Sequence, residues 1–102
     1  MAMHELRVSV EQVPGMAVVR LTGDVTAANI DPVRKAIAEA IALKQPKVAI
    51  DLAETLFLSS PGLAVLVRLM RQARQHKQPM HLLDPVPHIE RMLRIANMPI
   101  GG

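Results

Sequence analysis

Residues 47–67, KVAIDLAETLFLSSPGLAVLV, pass from a short apolar run to a run with helical spacing, and that change of period sets the fold class. Val48 to Leu52 contains β-branched residues and follows the breaker pair Gln45-Pro46, which fits a short buried strand. Glu54 to Ser59 reads as a loop. Ser60 then stands where an N-cap belongs, Pro61 takes the first helical position, and Leu63, Leu66, Val67 and Met70 share one face. These signals predict a helix from residue 60 to about Lys77.

Outward from this block, the same alternation of elements recurs. Met3 to Val10 alternates polar and apolar residues, Pro14-Gly15 makes a turn, and Met16 to Leu21 supplies a second strand, so the N-terminal part reads as a hairpin. Asp31-Pro32 offers an N-cap and a first-turn proline, and Ile30, Val33, Ile37 and Ile41 recur at helical spacing up to about Lys44. A helix between two strands makes Val48 to Leu52 a parallel neighbour of the earlier strand. After Pro79 come a brief strand, Met80 to Leu83, and a helix over residues 86–97 with Ile89, Met92, Leu93 and Ala96 on its inner stripe. Met98 to Gly102 reads as a short tail. The expected architecture is an α/β sandwich, a mixed sheet of about four strands with its helices mainly on one face.

A chain of 102 residues has room for one core. Half of the residues are hydrophobic, yet Phe57 is the only aromatic, so that core must be aliphatic. With no Cys there are no disulfides, thiolate metal sites or cysteine nucleophiles, and a cytoplasmic location is the default expectation. The longest apolar stretch, Leu63 to Val67, falls far short of the roughly 18 residues that a span requires, so no membrane insertion is expected. The net charge of +3 suits an acidic protein surface, an anionic membrane or nucleic acid without choosing among them.

Few residues combine into recognisable chemistry. His4, His76, His81 and His88 fall on different predicted elements without the i, i+4 pairing of a zinc helix, and no metal or cofactor is expected. Asp24, Asp51 and Glu54 could meet near one end of the sheet, but nothing in their spacing matches a two-carboxylate hydrolase or a phosphate-cradling loop. Arg68, Arg71, Arg74 and Lys77 give the second helix a basic side. Without aromatic stacking platforms, that side reads as a solvated face and not as a nucleic-acid contact. Val65 and Leu69 lie together outside the inward stripe, bordered by Arg68 and Gln72, as an apolar spot for a partner or as packing under the tail. Ser60 reads first as a helix cap, and second as a switch, because a phosphate on its hydroxyl would meet the positive end of the helix. No G-x-S-x-G elbow makes it a nucleophile.

The succession VVRLTGDV (residues 18–25), KVAIDLAETLFLSSPGLAVLV (47–67) and MHLLDPVPHIERMLRIANM (80–98) resembles the STAS domain of bacterial anti-sigma factor antagonists, in the right order and over nearly the whole chain. In that family a strand ending in Asp-Leu leads through a short loop to a D-S-S-G-L or related motif. Matching Gly62-Leu63 to the family's Gly-Leu puts Ser60 at its phosphoacceptor position. Ser59 stands where the family has Asp, Pro61 follows the acceptor, and Thr26 replaces the Asp of an early G-E-L-D segment.

The resemblance implies one STAS-like domain over residues 1–102 that is no enzyme and binds an anti-sigma factor with serine kinase activity. Phosphorylation of Ser60 by that partner would end the complex, and a serine phosphatase would restore it. Asp24, Thr26, Ser59, Pro61, Gly62, Val65, Arg68 and Leu69 are the expected partner-binding residues. No direct contact with nucleic acid is implied. The alternative is a constitutive STAS subunit of a lipid-transport ABC complex or of a stress-signalling assembly, in which Ser60 is only a cap.

Overall fold

The longest strand, β2 (Met16–Val25), organises the sheet because its ten residues outlast every partner. In the computed structural model, which describes residues 4–98 and Ile100, β1 (Arg7–Val13) pairs antiparallel with β2 across the Pro14-Gly15 turn. Gly15 adopts φ +78° there, a left-handed turn conformation that glycine reaches without steric cost. A 3₁₀ turn (Ala27–Asn29) and helix α1 (Asp31–Ala42) carry the chain back to β3 (Lys47–Asp51), which runs parallel to β2 from Met16↔Lys47 to Arg20↔Asp51. Strand β4 (Thr55–Leu58), helix α2 (Ser60–Gln75), strand β5 (Met80–Leu83) and helix α3 (Pro87–Ile95) follow. The path β1-β2-β3-β5 is mixed, with the hairpin antiparallel and the helix-connected strands parallel.

Alternate residues of the strands build one aliphatic core. Ala17, Val19 and Leu21 of β2, Val48 and Ile50 of β3, and Met80 and Leu82 of β5 are buried together with Val33 and Ile37 of α1, Leu66 and Met70 of α2, and Ile89 and Leu93 of α3. All three helices therefore cover the same face, as the apolar spacing predicted. On the opposite face Arg20 bridges Glu11 (3.3 Å) and Asp51 (3.2 Å). The hydrogen bond that Arg20 donates to Asp51, then the charge of Glu11, raises the pKa of its guanidinium above the ordinary arginine value.

The sheet has five strands among the described residues, one more than expected. Strand β4 lies in the segment read as a loop. Because β3 ends opposite Arg20, the last residues of β2 would leave an unpaired edge. Strand β4 fills it in parallel, with Gly23↔Thr55, Asp24↔Phe57 and Val25↔Leu58 across a bulge at Gly23/Asp24. Thr55, fully buried, donates its hydroxyl to the Leu21 carbonyl at 2.7 Å and so ties the new strand to the old ladder.

The helices are shorter than their apolar stripes suggested. Lys44, Lys77 and Asn97 have φ of 53°, 61° and 58°, so each C-terminus turns left-handed at a non-glycine residue. Asp31 is not the cap of α1: the 3₁₀ turn leaves Ile30 already helical (φ −76°, ψ −19°), which moves Asp31 into the first turn, where its charge suits the dipole. Of the expected tail, Pro99, Gly101 and Gly102 lie outside the described residues, as does Met3 at the start of the expected first strand. Ile100 forms a parallel bridge with Leu82.

Candidate functional site

The corner where β4 turns into α2 is built by three successive contacts. The Ser59 amide donates to the Val25 carbonyl (3.0 Å), continuing the β2–β4 ladder by one residue. The Ser59 side chain, in extended backbone (φ −72°, ψ 157°), then accepts from the Gly62 amide at 2.9 Å. Gly62 itself is wedged against β2: a Cβ there would stand 3.0 Å from the Val25 carbonyl oxygen and 3.2 Å from Thr26 Cα. The absence of a side chain lets the first turn of α2 approach the end of the sheet this closely.

This geometry corrects one expectation. The N-cap is Ser59, with Ser60 and Pro61 at the first two helical positions. A residue one step later faces outward at the helix start, so the Ser60 side chain is exposed and its hydroxyl takes no part in the cap. Few first-turn amides remain for an anion, since Pro61 has none and that of Gly62 is taken by Ser59. The favourable field of the helix dipole at Ser60 remains.

The other expected site residues divide into two groups. Ser59, Pro61 and Gly62 belong to the same corner as Ser60, and Arg68 is exposed two turns along α2. Thr26 stands beside Gly62, its amide donating to Asn29 Oδ1 (2.8 Å), while Asn29 Nδ2 donates to the Asp24 carbonyl (2.9 Å). Asp24 is only 6% exposed and accepts from the His4 amide (3.0 Å), with His4 Nδ1 at 3.8 Å, so it anchors the N-terminal segment from behind the corner. Leu69 does not form the expected surface spot: it is 7% exposed and part of the core, and Val65 is half-buried against that core. The inward stripe of α2 is Gly62, Leu66, Leu69, Met70 and Ala73. Its small members at either end carry no apolar signal, which drew the sequence reading toward Leu63 and Val67.

Two residues at the corner were not anticipated. Leu56 and Phe57 are each 47% exposed on β4, separated from the serines by the buried Leu58. Read as loop residues they had no face; only the pairing of β4 with β2 shows that they stand outward while Thr55 and Leu58 point in.

The remaining candidates do not assemble. Asp51 is engaged by Arg20 and by the Ala53 amide (2.9 Å), Asp24 lies four residues further along β2 with His4, and Glu54 is exposed, so the three acids share no site. Among the described residues no group of three or more His, Asp or Glu could hold a metal ion, and no helix is long and apolar enough to cross a membrane. His88 Nε2 lies 3.1 Å from the Leu56 carbonyl, bracing α3 against β4.

Comparison with known proteins agrees with this architecture. The chain is 25% identical over 91 residues to the putative anti-sigma factor antagonist BtrV of Bordetella bronchiseptica, covering 89% of this chain and 78% of that protein. It shares its fold with an anti-sigma factor antagonist from Mycobacterium paratuberculosis (TM-score 0.76, 22% identity, 94% of this chain and 85% of the other). It likewise shares the fold of the phosphorylated form of the Bacillus cell fate determinant SpoIIAA (TM-score 0.69, 19% identity, 94% and 92%). The family of the STAS domain matches residues 7–99, from the first strand through the third helix and including the serine corner. With the mixed sheet, the one-sided helices and this match over nearly its full length, the chain belongs to the STAS domain family.

Proposed function

We propose that this chain acts as an anti-sigma factor antagonist: residues 1–102 form one cytoplasmic STAS-like domain that docks an anti-sigma factor with serine kinase activity and is released by phosphorylation of Ser60. The observation that carries this reading is the division of labour between the adjacent serines. Ser59 caps α2, so the exposed Ser60 hydroxyl is available to a kinase without loss of the helix start. The relative named as a putative anti-sigma factor antagonist and the phosphorylated SpoIIAA structure support the same assignment.

The docking face consists of Leu56 and Phe57 as an apolar centre, with Ser60, Pro61 and Arg68 along the exposed side of α2. Aromatic and aliphatic anchors inside a polar border are what a small regulatory interface uses. A phosphate on Ser60 adds about −1.5 to −2 charges there, which repels or desolvates badly against a partner surface built for a neutral hydroxyl. Ser59, Gly62, Thr26 and Asp24 hold the corner in shape. The chain itself performs no catalysis in this reading; the kinase resides in the partner and a serine phosphatase reverses its action.

The departures at Ser59 and Thr26, where the family carries acids, favour a second reading, a constitutive STAS subunit of a lipid-transport ABC complex or stress-signalling assembly. Incubation with the candidate partner kinase and ATP, followed by intact mass measurement, and titration calorimetry with Ser60→Asp separate the two. Under the first reading the parent gains one phosphate, Ser60→Ala gains none, and Ser60→Asp stays folded but loses partner affinity. Unchanged affinity for Ser60→Asp together with no mass increase in the parent would leave the constitutive subunit.

A further inference from the structure

A cavity of about 690 Å³ opens between α2, the start of β5 and the end of α3, with Val67, Met70, Met80 and Met98 as its apolar lining and Arg71, Arg74 and Arg94 as its basic groups. A smaller hollow beside it, lined by Ser60, Leu63, Ala64 and Arg68, shares Val67, Arg71 and Ala96 with it, so one groove runs along α2 from Ser60 to Pro79. No Asp or Glu lines either part.

The part of the chain that supplies this groove is the more basic one. Residues 60–102 carry six Lys and Arg against two Asp and Glu, whereas residues 1–59 carry six against seven. Arg94 is paired with Glu90 at 3.6 Å, but Arg71 and Arg74 enter none of the ion pairs among the described residues. Guanidinium groups gathered at a hollow without carboxylates repel one another until an anion enters. The interior of the hollow is of a different character: three methionines, unbranched and polarizable, conform to flexible apolar chains. No Phe, Tyr or Trp lines the groove, whose one ring other than proline is the half-buried His81, so it offers a nucleobase little stacking surface. The volume lies within the usual range for small-molecule sites, about 300–1,000 Å³.

We infer that this groove binds a small single-chain anionic amphiphile, its alkyl chain along Val67, Met70, Met80 and Met98 and its carboxylate or phosphate head on Arg71 and Arg74. The alkyl-binding part, at Met70, Met80 and Met98, lies apart from the Leu56–Phe57 docking face, while the other end of the groove shares Ser60 and Arg68 with that face.

The test is titration calorimetry of the full chain with decanoate and with decyl phosphate, each below its micellar concentration. Inorganic phosphate and decyltrimethylammonium serve as the head-only and opposite-charge comparisons. The variant Arg71→Gln/Arg74→Gln alters two exposed side chains, and Arg34→Gln/Lys35→Gln on α1 removes the same charge elsewhere; circular dichroism verifies the fold of both. Stoichiometric binding of either amphiphile is expected, weakened roughly tenfold or more in the Arg71/Arg74 variant and unchanged in the Arg34/Lys35 variant. The better of the two ligands identifies the head group. The inference is overturned if neither amphiphile binds, if the two double variants bind alike, or if decyltrimethylammonium or inorganic phosphate binds as tightly. Binding only to phosphatidylglycerol vesicles, and not to the monomeric amphiphiles, would assign the arginines to a membrane surface and overturn it as well.

Discussion

Ser59→Ala should destabilise this protein while Ser60→Ala, one residue later, should not. The Ser59 hydroxyl accepts from the Gly62 amide at 2.9 Å, and Gly62 is buried against Val25 and Thr26, so the amide released by Ser59→Ala has poor access to water. Loss of a cap costs about 0.5–2 kcal/mol in general, and an orphaned buried donor moves this case to the upper half, about 1–2 kcal/mol. For a domain of this size that corresponds to a fall in Tm of about 4–16 °C. Ser60 is exposed and makes no cap, so Ser60→Ala should stay within about 0.5 kcal/mol of the parent. Ser59→Asp keeps an acceptor in place and adds a charge suited to the helix start, so it should retain most of the stability. Urea denaturation followed by far-ultraviolet circular dichroism is the assay, because the chain has no Trp or Tyr to report by fluorescence. If Ser60→Ala loses as much stability as Ser59→Ala, or if Ser59→Ala is neutral, the cap has been assigned to the wrong serine.

Other perturbations follow from the packing. Gly23 has φ +102° and a Cβ there would run into the Glu5 carbonyl, so Gly23→Ala should cost about 2 kcal/mol or more; a parent-like urea midpoint would contradict that conformation. Leu66, 1% exposed at the centre of the helix-on-sheet core, should cost about 2–5 kcal/mol when changed to Ala, whereas Arg71→Ala should stay within about 0.5 kcal/mol. Equal midpoints for those two variants would mean that α2 is turned the other way. Thr55→Val should lose about 1–3 kcal/mol through the unpaired Leu21 carbonyl, and a neutral result would show that β4 does not depend on that bond.

The Ser60 position also shows why a residue's chemistry and its local role had to be separated. Both serines precede a proline-containing helix start, and either could cap it. Capping depends on backbone torsion: the residue with extended φ and ψ at the boundary aims its side chain at the first amides. Here the β2–β4 ladder runs one residue past β4, holding Ser59 extended through its bond to Val25, and the helix begins at Ser60. The capping function is thereby removed from the residue that resembles the family's phosphoacceptor. A modification at Ser60 can act on partner binding with little effect on the helix start.

Periodicity and breakers were enough for the order of the elements other than β4, the burial of β3, the one-sided placement of the helices and the aliphatic core, because each rests on contacts between residues near in sequence or on a stripe that must be covered. The family motif was legible for the same reason: LFLSSPGLAVLV is contiguous. The pairing of β4 and the close approach of α2 were not legible. Strand β4 exists because β2 outruns β3, a fact about two strands separated in the chain, and its exposed Leu56 and Phe57 acquire a face only through that pairing. The phase of α2 is set by Gly62 and Ala73, whose small size lets the helix lie close to its neighbours but leaves no trace in an apolar pattern. Which of the two adjacent serines caps the helix was decided only in three dimensions, by the contact of Ser59 and Gly62 with the end of β2.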